Sequence, residues 1–118
     1  MKNKHYICKL EILKKERYFV KWIDEWKDEL IVFLDKNGEV KIFSSICPHF
    51  GGEIYFKKKN QVLSCKWHAW KFCLETGKCL SNNLRLSLKP YDCEVLPVNI
   101  KNNDVQLIEQ KIYAVSDE

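Results

Sequence analysis

The amino-acid sequence predicts an all-β fold of antiparallel strands. Short apolar runs rich in β-branched and aromatic residues recur at close spacing, and polar turn residues separate them. The clearest hairpin joins 30–34 to 40–43 through Asp35-Lys36-Asn37-Gly38, because Asn-Gly readily adopts the positive φ angles of a tight turn. The 118 residues show no linker, so we expect one domain over 1–118 with a loose tail at about 114–118.

The same reasoning places the remaining elements in chain order. Trp22, Trp26 and Leu30 recur at four-residue intervals, which would align them on one face of a short helix. The interpretation is a helical turn or loop that packs its tryptophans on the core, and an acidic docking patch is the alternative. A strand is expected at 7–13, with 17–20 extending the same edge of sheet. Strand pairs are expected at 54–56 with 61–65, 70–74 with 78–80, and 95–100 with 105–108.

The charge pattern bears on the choice of partners. The formal net charge of +4 comes from lysines that are interspersed with acidic residues, so we expect no nucleic-acid partner. Lys57-Lys58-Lys59 is interpreted as a solvated hairpin tip, with partner docking as the alternative. Lys9 and Glu11 interrupt the apolar residues of 1–13, so no signal peptide or membrane anchor is expected and the predicted compartment is the cytoplasm.

Six cysteines in a short cytoplasmic chain indicate metal or redox chemistry before a disulfide framework, because thiols stay reduced there. Cys8 and Cys93 are expected to be small buried hydrophobes. Cys73 and Cys79 flank a turn and are expected to face each other without a stable disulfide. The remaining two cysteines have histidines close by.

Two segments each offer one thiolate and one imidazole: Cys47-Pro48-His49 and Cys65-Lys66-Trp67-His68. The fifteen residues between His49 and Cys65 can run out and back as two strands, which would bring the segments together. Two thiolates on one iron and two imidazoles on the other are the ligands of a mixed [2Fe-2S] cluster. A structural zinc site is the alternative, although Cys-x-His is tighter than usual zinc spacing.

The motifs Cys-Pro-His-Phe-Gly-Gly and Cys-Lys-Trp-His-Ala-Trp-Lys-Phe resemble the paired cluster loops of Rieske proteins, and the resemblance covers roughly 17–113. It implies stacked antiparallel sheets with a two-loop cluster-binding subdomain at about 46–72. It also implies one [2Fe-2S] cluster held by Cys47, His49, Cys65 and His68. Residues expected around the cluster are Pro48, Phe50, Gly51, Gly52, Trp67, Trp70 and Phe72.

Positions at which the sequence differs from respiratory Rieske proteins indicate which branch of the family it resembles. Respiratory Rieske proteins carry an extra loop cysteine at the positions of Gly52 and Trp67, and hydroxyl donors at those of Trp70 and Phe72. Without those donors we expect a potential toward the low end of about −150 to +300 mV. The aromatic residues resemble those of ferredoxins and oxygenase Rieske domains. Lys66 and Ala69 stand where that branch commonly has proline and glycine.

The resemblance implies a soluble electron carrier that takes electrons from a reductase and passes them to a terminal oxygenase or another redox enzyme. We expect no catalytic activity of its own, because the sequence shows neither a mononuclear iron site nor a Gly-x-Gly-x-x-Gly motif. Two alternatives stay open. One is the small Rieske subunit of a larger enzyme, such as a nitrite reductase or oxygenase, and the other is a metal-stapled structural or binding module.

Overall fold

The computed structural model describes residues 3–48, 52–57, 59–66, 69–81, 86–102 and 105–116, and these form two antiparallel sheets. This confirms the all-β class. The elements in chain order are β1 (Asn3–Lys9), α1 (Leu10–Glu16), β2 (Tyr18–Ile23), a 3-10 turn (Asp24–Trp26), β3 (Asp28–Leu34), β4 (Val40–Ser44), β5 (Ile54–Lys57), β6 (Val62–Cys65), β7 (Lys71–Phe72), β8 (Pro90–Asn102) and β9 (Val105–Ser116).

The larger sheet has the strand order β1-β9-β8-β4-β3-β2, and the smaller has the order β5-β6-β7. The smaller sheet is inserted between β4 and β8, so the chain leaves the larger sheet once and returns to it. Antiparallel neighbours need only short connections, which suits the many tight turns. The insertion carries both cysteine loops.

The predicted hairpin at Asp35–Gly38 is confirmed. Leu34 pairs with Val40 across it, and Gly38 has a φ of +79°. The Gly38 N–H donates to the Asp35 carbonyl at 3.1 Å, while Asp35 Oδ1 accepts 2.9 Å hydrogen bonds from the N–H groups of Asn37 and Glu39. A side chain that caps the turn in this way favours Asp at its first position.

Strand β3 is buried on both faces, which explains its continuous apolar run. Ile31 and Phe33 face the smaller sheet and join what we call the first apolar cluster: Ile31, Phe33, Phe43, Cys47, Ile54, Phe56, Leu63, Cys65, Phe72, Leu74 and Leu88. The alternate residues join the second apolar cluster: Ile7, Cys8, Leu13, Ile23, Leu30, Val32, Leu34, Ile42, Ile112 and Ala114. The first cluster ties the insertion to the larger sheet.

Two expectations near the N-terminus were wrong. The predicted strand over 7–13 ends at Lys9, and α1 follows because burying Leu13 in the second cluster outweighs the weak alternation. The predicted helix through Trp22, Trp26 and Leu30 does not form. Trp22 lies in β2 and Leu30 in β3, with the 3-10 turn between them. In the described part of the chain, no helix is long and apolar enough to cross a membrane.

The C-terminal hairpin is longer than expected. Strand β9 runs to Ser116 with Ala114 and Val115 buried, so the expected loose tail from residue 114 was wrong for 114–116. Pairing with β1 holds these residues in the sheet. The far end of the hairpin extends beyond β1 and β4, and Leu107 and Ile108 are 51% and 66% exposed there.

Candidate metal centre

The first cysteine loop leaves β4 and returns to β5. Cys47 is 2% exposed, and its backbone N–H donates a 2.7 Å hydrogen bond to the carbonyl of Gly52. Ile46, which precedes Cys47, and Glu53, which follows Gly52, form an antiparallel β-bridge. The loop therefore closes on itself between Cys47 and Gly52, with Pro48 exposed at its start.

The second cysteine loop joins β6 to β7. Cys65 is fully buried, and its N–H donates to the Trp70 carbonyl at 2.9 Å. The Ala69 N–H donates back to the Cys65 carbonyl at 2.9 Å, which makes a compact turn. Backbone hydrogen bonds that join Cys65 to Ala69 and Trp70 thus close this loop as well.

Glu53 and Lys66 join the two loops. The Lys66 N–H donates to the Glu53 carbonyl at 3.0 Å, and the Lys66 ammonium lies 3.0 Å from a Glu53 carboxylate oxygen. The carboxylate raises the pKa of Lys66, first by hydrogen bonding and then by its charge. The residue directly after Cys65 therefore contacts the segment that follows the first loop.

The structure brings Cys47 and Cys65 into the same apolar cluster, and neither forms a disulfide bond. The other expected ligands, His49 and His68, lie outside the described residues, as do Phe50, Gly51 and Trp67. In the described ranges no group of three or more metal-ligating side chains occurs. Two buried cysteines at the bases of adjoining loops fit the thiolate half of a [2Fe-2S] ligand set.

The aromatic residues after the second loop pack where the sequence places them. Phe72 is fully buried in the first apolar cluster, and Trp70 is half-buried against it. Gly52 is buried beside the first loop. These residues surround the two cysteines with apolar groups, and an apolar shell limits solvent access to a metal site.

A polar network beneath the first loop was not predicted. Asp28 is buried and accepts a 2.7 Å hydrogen bond from Ser44 Oγ and a 2.5 Å hydrogen bond from the Tyr91 hydroxyl. Ser45, the next residue, donates to a Glu29 carboxylate oxygen at 2.8 Å. The network ties β3, β4 and β8 together just before Cys47. No local pattern signals it, because Asp28 and Tyr91 are 63 positions apart.

Of the other four cysteines, Cys79 packs against the first apolar cluster, whereas Cys8 lies in the second cluster and Cys93 packs against it. Cys8 is buried, as expected, and burial raises the pKa of its thiol to about 11. Cys93 is half-buried, and burial also raises its pKa. Cys73 and Cys79 are half-buried and form no disulfide, and the Cys73 thiol donates to a Glu75 carboxylate oxygen at 3.3 Å.

Known proteins with similar sequences and folds give a consistent answer. The family model for the Rieske [2Fe-2S] domain matches residues 3–92. Cholesterol 7-desaturase nvd 1 of Ciona intestinalis is 34% identical over 64 residues, which cover 52% of this chain and 13% of that protein. This chain therefore corresponds to a small part of that relative's length.

Two solved structures match almost end to end. The ferredoxin of carbazole 1,9a-dioxygenase from Nocardioides aromaticivorans has a TM-score of 0.64 and 19% identity, covering 95% of this chain and 96% of that one. A Mycobacterium tuberculosis protein assigned as the small subunit of an NADH-dependent nitrite reductase has a TM-score of 0.66 and 16% identity, covering 100% and 98%. At these identities the likeness establishes the fold.

Proposed function

This chain belongs to the Rieske [2Fe-2S] domain family, and from that premise we propose that it carries single electrons from a reductase to a terminal oxygenase or a similar acceptor. Family membership implies one [2Fe-2S] cluster, which accepts and releases one electron at a time. The observation that carries the proposal is the placement of two buried cysteines that form no disulfide, Cys47 and Cys65, in one apolar cluster at two adjoining loops.

We assign Cys47 and Cys65 to one iron of the cluster and His49 and His68 to the other. With neutral imidazoles, this assignment would give the oxidised cluster and its four ligands no net charge. Uptake of one electron would then leave a single negative charge. The assignment of the cysteines is supported by their burial, and that of the histidines by their positions in the two motifs.

The chain's own residues have two roles at this site. The hydrogen bonds from the N–H groups of Cys47 and Cys65 hold the backbone of each loop in place. Phe72 and the other members of the first apolar cluster exclude water from the cysteine side. The side chains of Trp70 and Phe72 offer no hydroxyl donor, which supports a potential in the lower part of the mixed-ligand range.

The test is spectroscopic. Anaerobically purified protein is examined by absorption and by low-temperature electron paramagnetic resonance before and after dithionite, with iron, sulfide and zinc measured. The matched variants are Cys65→Ser and Cys73→Ser, since both change one free thiol in the insertion. We expect a reduced mixed-ligand signal with two irons per chain, which Cys65→Ser abolishes and Cys73→Ser retains.

Two results would contradict the proposal. A colourless protein that stays silent after reconstitution with iron and sulfide, or one that binds a single zinc, would favour the structural module. Equal loss of iron in the Cys73→Ser and Cys65→Ser variants would contradict the ligand assignment.

A fixed subunit of a larger redox enzyme is the second candidate. The exposed apolar side chains at the far end of the β8–β9 hairpin, Leu107 and Ile108, favour it, because a permanent partner would cover them. Sedimentation of the purified holoprotein at micromolar concentrations, alone and with a candidate enzyme core, separates the two. A free carrier sediments as the 14.1 kDa chain between electron transfers.

We also propose that 1–118 forms a single domain located in the cytoplasm, without catalytic activity of its own. The first apolar cluster supports the single domain, because it combines Phe33 of the larger sheet with Phe56 and Phe72 of the smaller. Free cysteines throughout the chain suit a reducing compartment.

A further inference from the structure

Positive charge is concentrated in the insertion that carries the two cysteine loops. Residues 45–89 contain eight Lys and Arg but only two Asp and Glu, whereas the rest of the chain contains twelve basic and fourteen acidic residues. The insertion therefore has a formal charge of +6 and the remainder −2. The modest net charge of the whole chain hides this division.

The contacts between charged groups increase the contrast. In the described ranges, five of the six close contacts between a basic side chain and a carboxylate lie outside the insertion. Among the described residues of the insertion, only Lys66 makes such a contact, with Glu53. Lys59, Lys71 and Lys78 are exposed, and no described carboxylate pairs with them. The charges of these three described lysines are thus not compensated by carboxylates of the insertion.

Strand register gathers part of this charge on one face of the smaller sheet. Tyr55 pairs with Ser64, and Ser64 with Lys71, so these residues share a face, and Lys57 joins them two positions from Tyr55. The opposite face carries Phe56, Leu63 and Phe72 of the first apolar cluster. Lys66 is exposed directly after Cys65. We call Lys57, Lys66 and Lys71 the lysine face.

We propose that the lysine face docks an acidic surface of a protein redox partner. This inference rests on the proposed electron-transfer function and adds the chemistry of the partner. Opposite charges steer two proteins into encounter and set their relative orientation. Lys66 directly follows Cys65, and Lys57 and Lys71 lie on the two strands that flank the strand ending in Cys65, so docking here places the partner beside the second cysteine loop. A protein is favoured over nucleic acid because electron exchange requires a second redox centre at this surface.

The test compares two double variants with equal changes in charge. Lys57→Glu/Lys71→Glu alters the lysine face, and the control Lys36→Glu/Lys101→Glu alters exposed lysines outside the insertion. Each lowers the formal net charge from +4 to 0. The acidic probe is cytochrome b5, and cytochrome c is the basic counterpart. Stopped-flow absorption follows electron transfer from the dithionite-reduced holoprotein to each probe at 10 and 200 mM ionic strength.

We expect the second-order rate with cytochrome b5 to fall about tenfold in the Lys57→Glu/Lys71→Glu variant at low ionic strength. The control should change it less than about twofold, and high salt should reduce the difference, because ions screen exposed charges. Cytochrome c should show the opposite trend. The neutral pair Lys57→Gln/Lys71→Gln repeats the comparison if the charge-reversed chain fails to fold.

Equilibrium binding separates this inference from the proposed function. Titration calorimetry with oxidised cytochrome b5 measures docking whether or not the cluster accepts an electron. Loss of affinity in the lysine-face variant alone supports the inference. Equal effects of the two double variants on the reaction with cytochrome b5, or a lysine-face variant that reacts with cytochrome c no faster than the wild type does, would overturn it. Tighter binding of a 20-base-pair DNA duplex or an anionic phosphatidylserine vesicle through the same lysines would overturn it too.

Discussion

The N–H of Ala69 donates a 2.9 Å hydrogen bond to the carbonyl of Cys65, and this contact requires Ala69 to adopt a φ of +55°. The left-handed region costs a residue with a Cβ about 1–2 kcal/mol, and glycine escapes that cost. The sequence alone marks Ala69 as a departure from the glycine common in its branch. The structure shows that the alanine occupies a conformation that favours glycine.

Ala69→Gly should therefore raise the free energy of unfolding. The relief of strain exceeds the extra chain entropy of glycine in the unfolded state, and we expect a net gain of about 0.5–1 kcal/mol. Urea denaturation measures it. Ala114→Gly, in the buried part of β9, is the control and should instead destabilise the protein. Destabilisation by Ala69→Gly would show that the turn does not hold the left-handed conformation.

Gly77 and Gly38 allow the cost of backbone strain in a turn to be separated from the cost of steric overlap with a neighbouring side chain. Both have positive φ, but a Cβ on Gly77 would lie 2.8 Å from Phe43 Cε1, whereas nothing lies within 4 Å at Gly38. Gly38→Ala should cost about 1–2 kcal/mol from backbone strain alone. Gly77→Ala should cost about 1–3 kcal/mol more, because Phe43 must move within the first apolar cluster. Equal midpoints in guanidinium unfolding would contradict the close contact.

Phe72→Ala should destabilise the protein by about 3–5 kcal/mol, because Phe72 is fully buried and truncation leaves a cavity within the first apolar cluster. Guanidinium denaturation followed by tryptophan fluorescence checks this value. Phe19→Ala, at a half-buried position against the second cluster, should cost less. A loss for Phe72→Ala no larger than that of the control would mean that the first cluster is loosely packed.

Tyr91→Phe removes the hydroxyl that donates to Asp28 and leaves a buried carboxylate oxygen without this donor. Hydrogen bonds to charged groups are worth about 1.5–3 kcal/mol, and we expect a loss of that size in the free energy of unfolding. Tyr18→Phe is the control, because the Tyr18 side chain contacts Phe56 through its ring. Thermal and urea unfolding measure the loss in each variant. An unchanged free energy of unfolding in Tyr91→Phe would show that the hydrogen bond to Asp28 does not stabilise the fold.

Cys8 predicts a dependence of stability on pH. Its pKa is raised from 9.0 to about 11 by burial, so the folded state keeps a proton that the unfolded chain releases between these values. The free energy of unfolding should fall as pH rises through pH 9 to 11, by up to about 1.4 kcal/mol per unit. Guanidinium unfolding at pH 8, 9.5 and 10.5 measures the slope.

Cys8→Ala should reduce that slope, and Cys73→Ala, at a half-buried position, serves as its control. Equal slopes in wild type and Cys8→Ala would contradict the assignment. A direct chemical check uses a thiol reagent at pH 8, with which Cys8 should react more slowly than Cys73, because Cys8 is buried.

Local chemistry made several features predictable. Asp35 and Gly38 specify their hairpin within four residues, because one caps the turn and the other adopts its positive φ. The β5–β6 pairing follows from apolar runs on either side of Lys57–Asn60. The cysteine loops were visible because ligand types at short, paired spacings are a property of the chain itself.

Predictions from local sequence patterns were wrong where one pattern is compatible with two kinds of secondary structure. The apolar residues of 7–13 alternate imperfectly, and the choice between strand and helix depended on burying Leu13 against strands that arrive later in the chain. Trp22 and Leu30 match a helical interval, yet the pairing of β2 with β3 places them in different strands. Sequence spacing cannot include the free energy gained from partners that are distant in the chain.

The sequence by itself determined the all-β class, the hairpin at Asp35–Gly38 and the thiol and imidazole groups available at two loops. Only the tertiary structure decided that Cys47 and Cys65 share one apolar cluster, that Asp28 meets Tyr91, and that Lys57 and Lys71 lie on one face of the smaller sheet. The physical reason is that turns and ligand types are local properties, whereas burial, register and charge juxtaposition arise from long-range strand pairing.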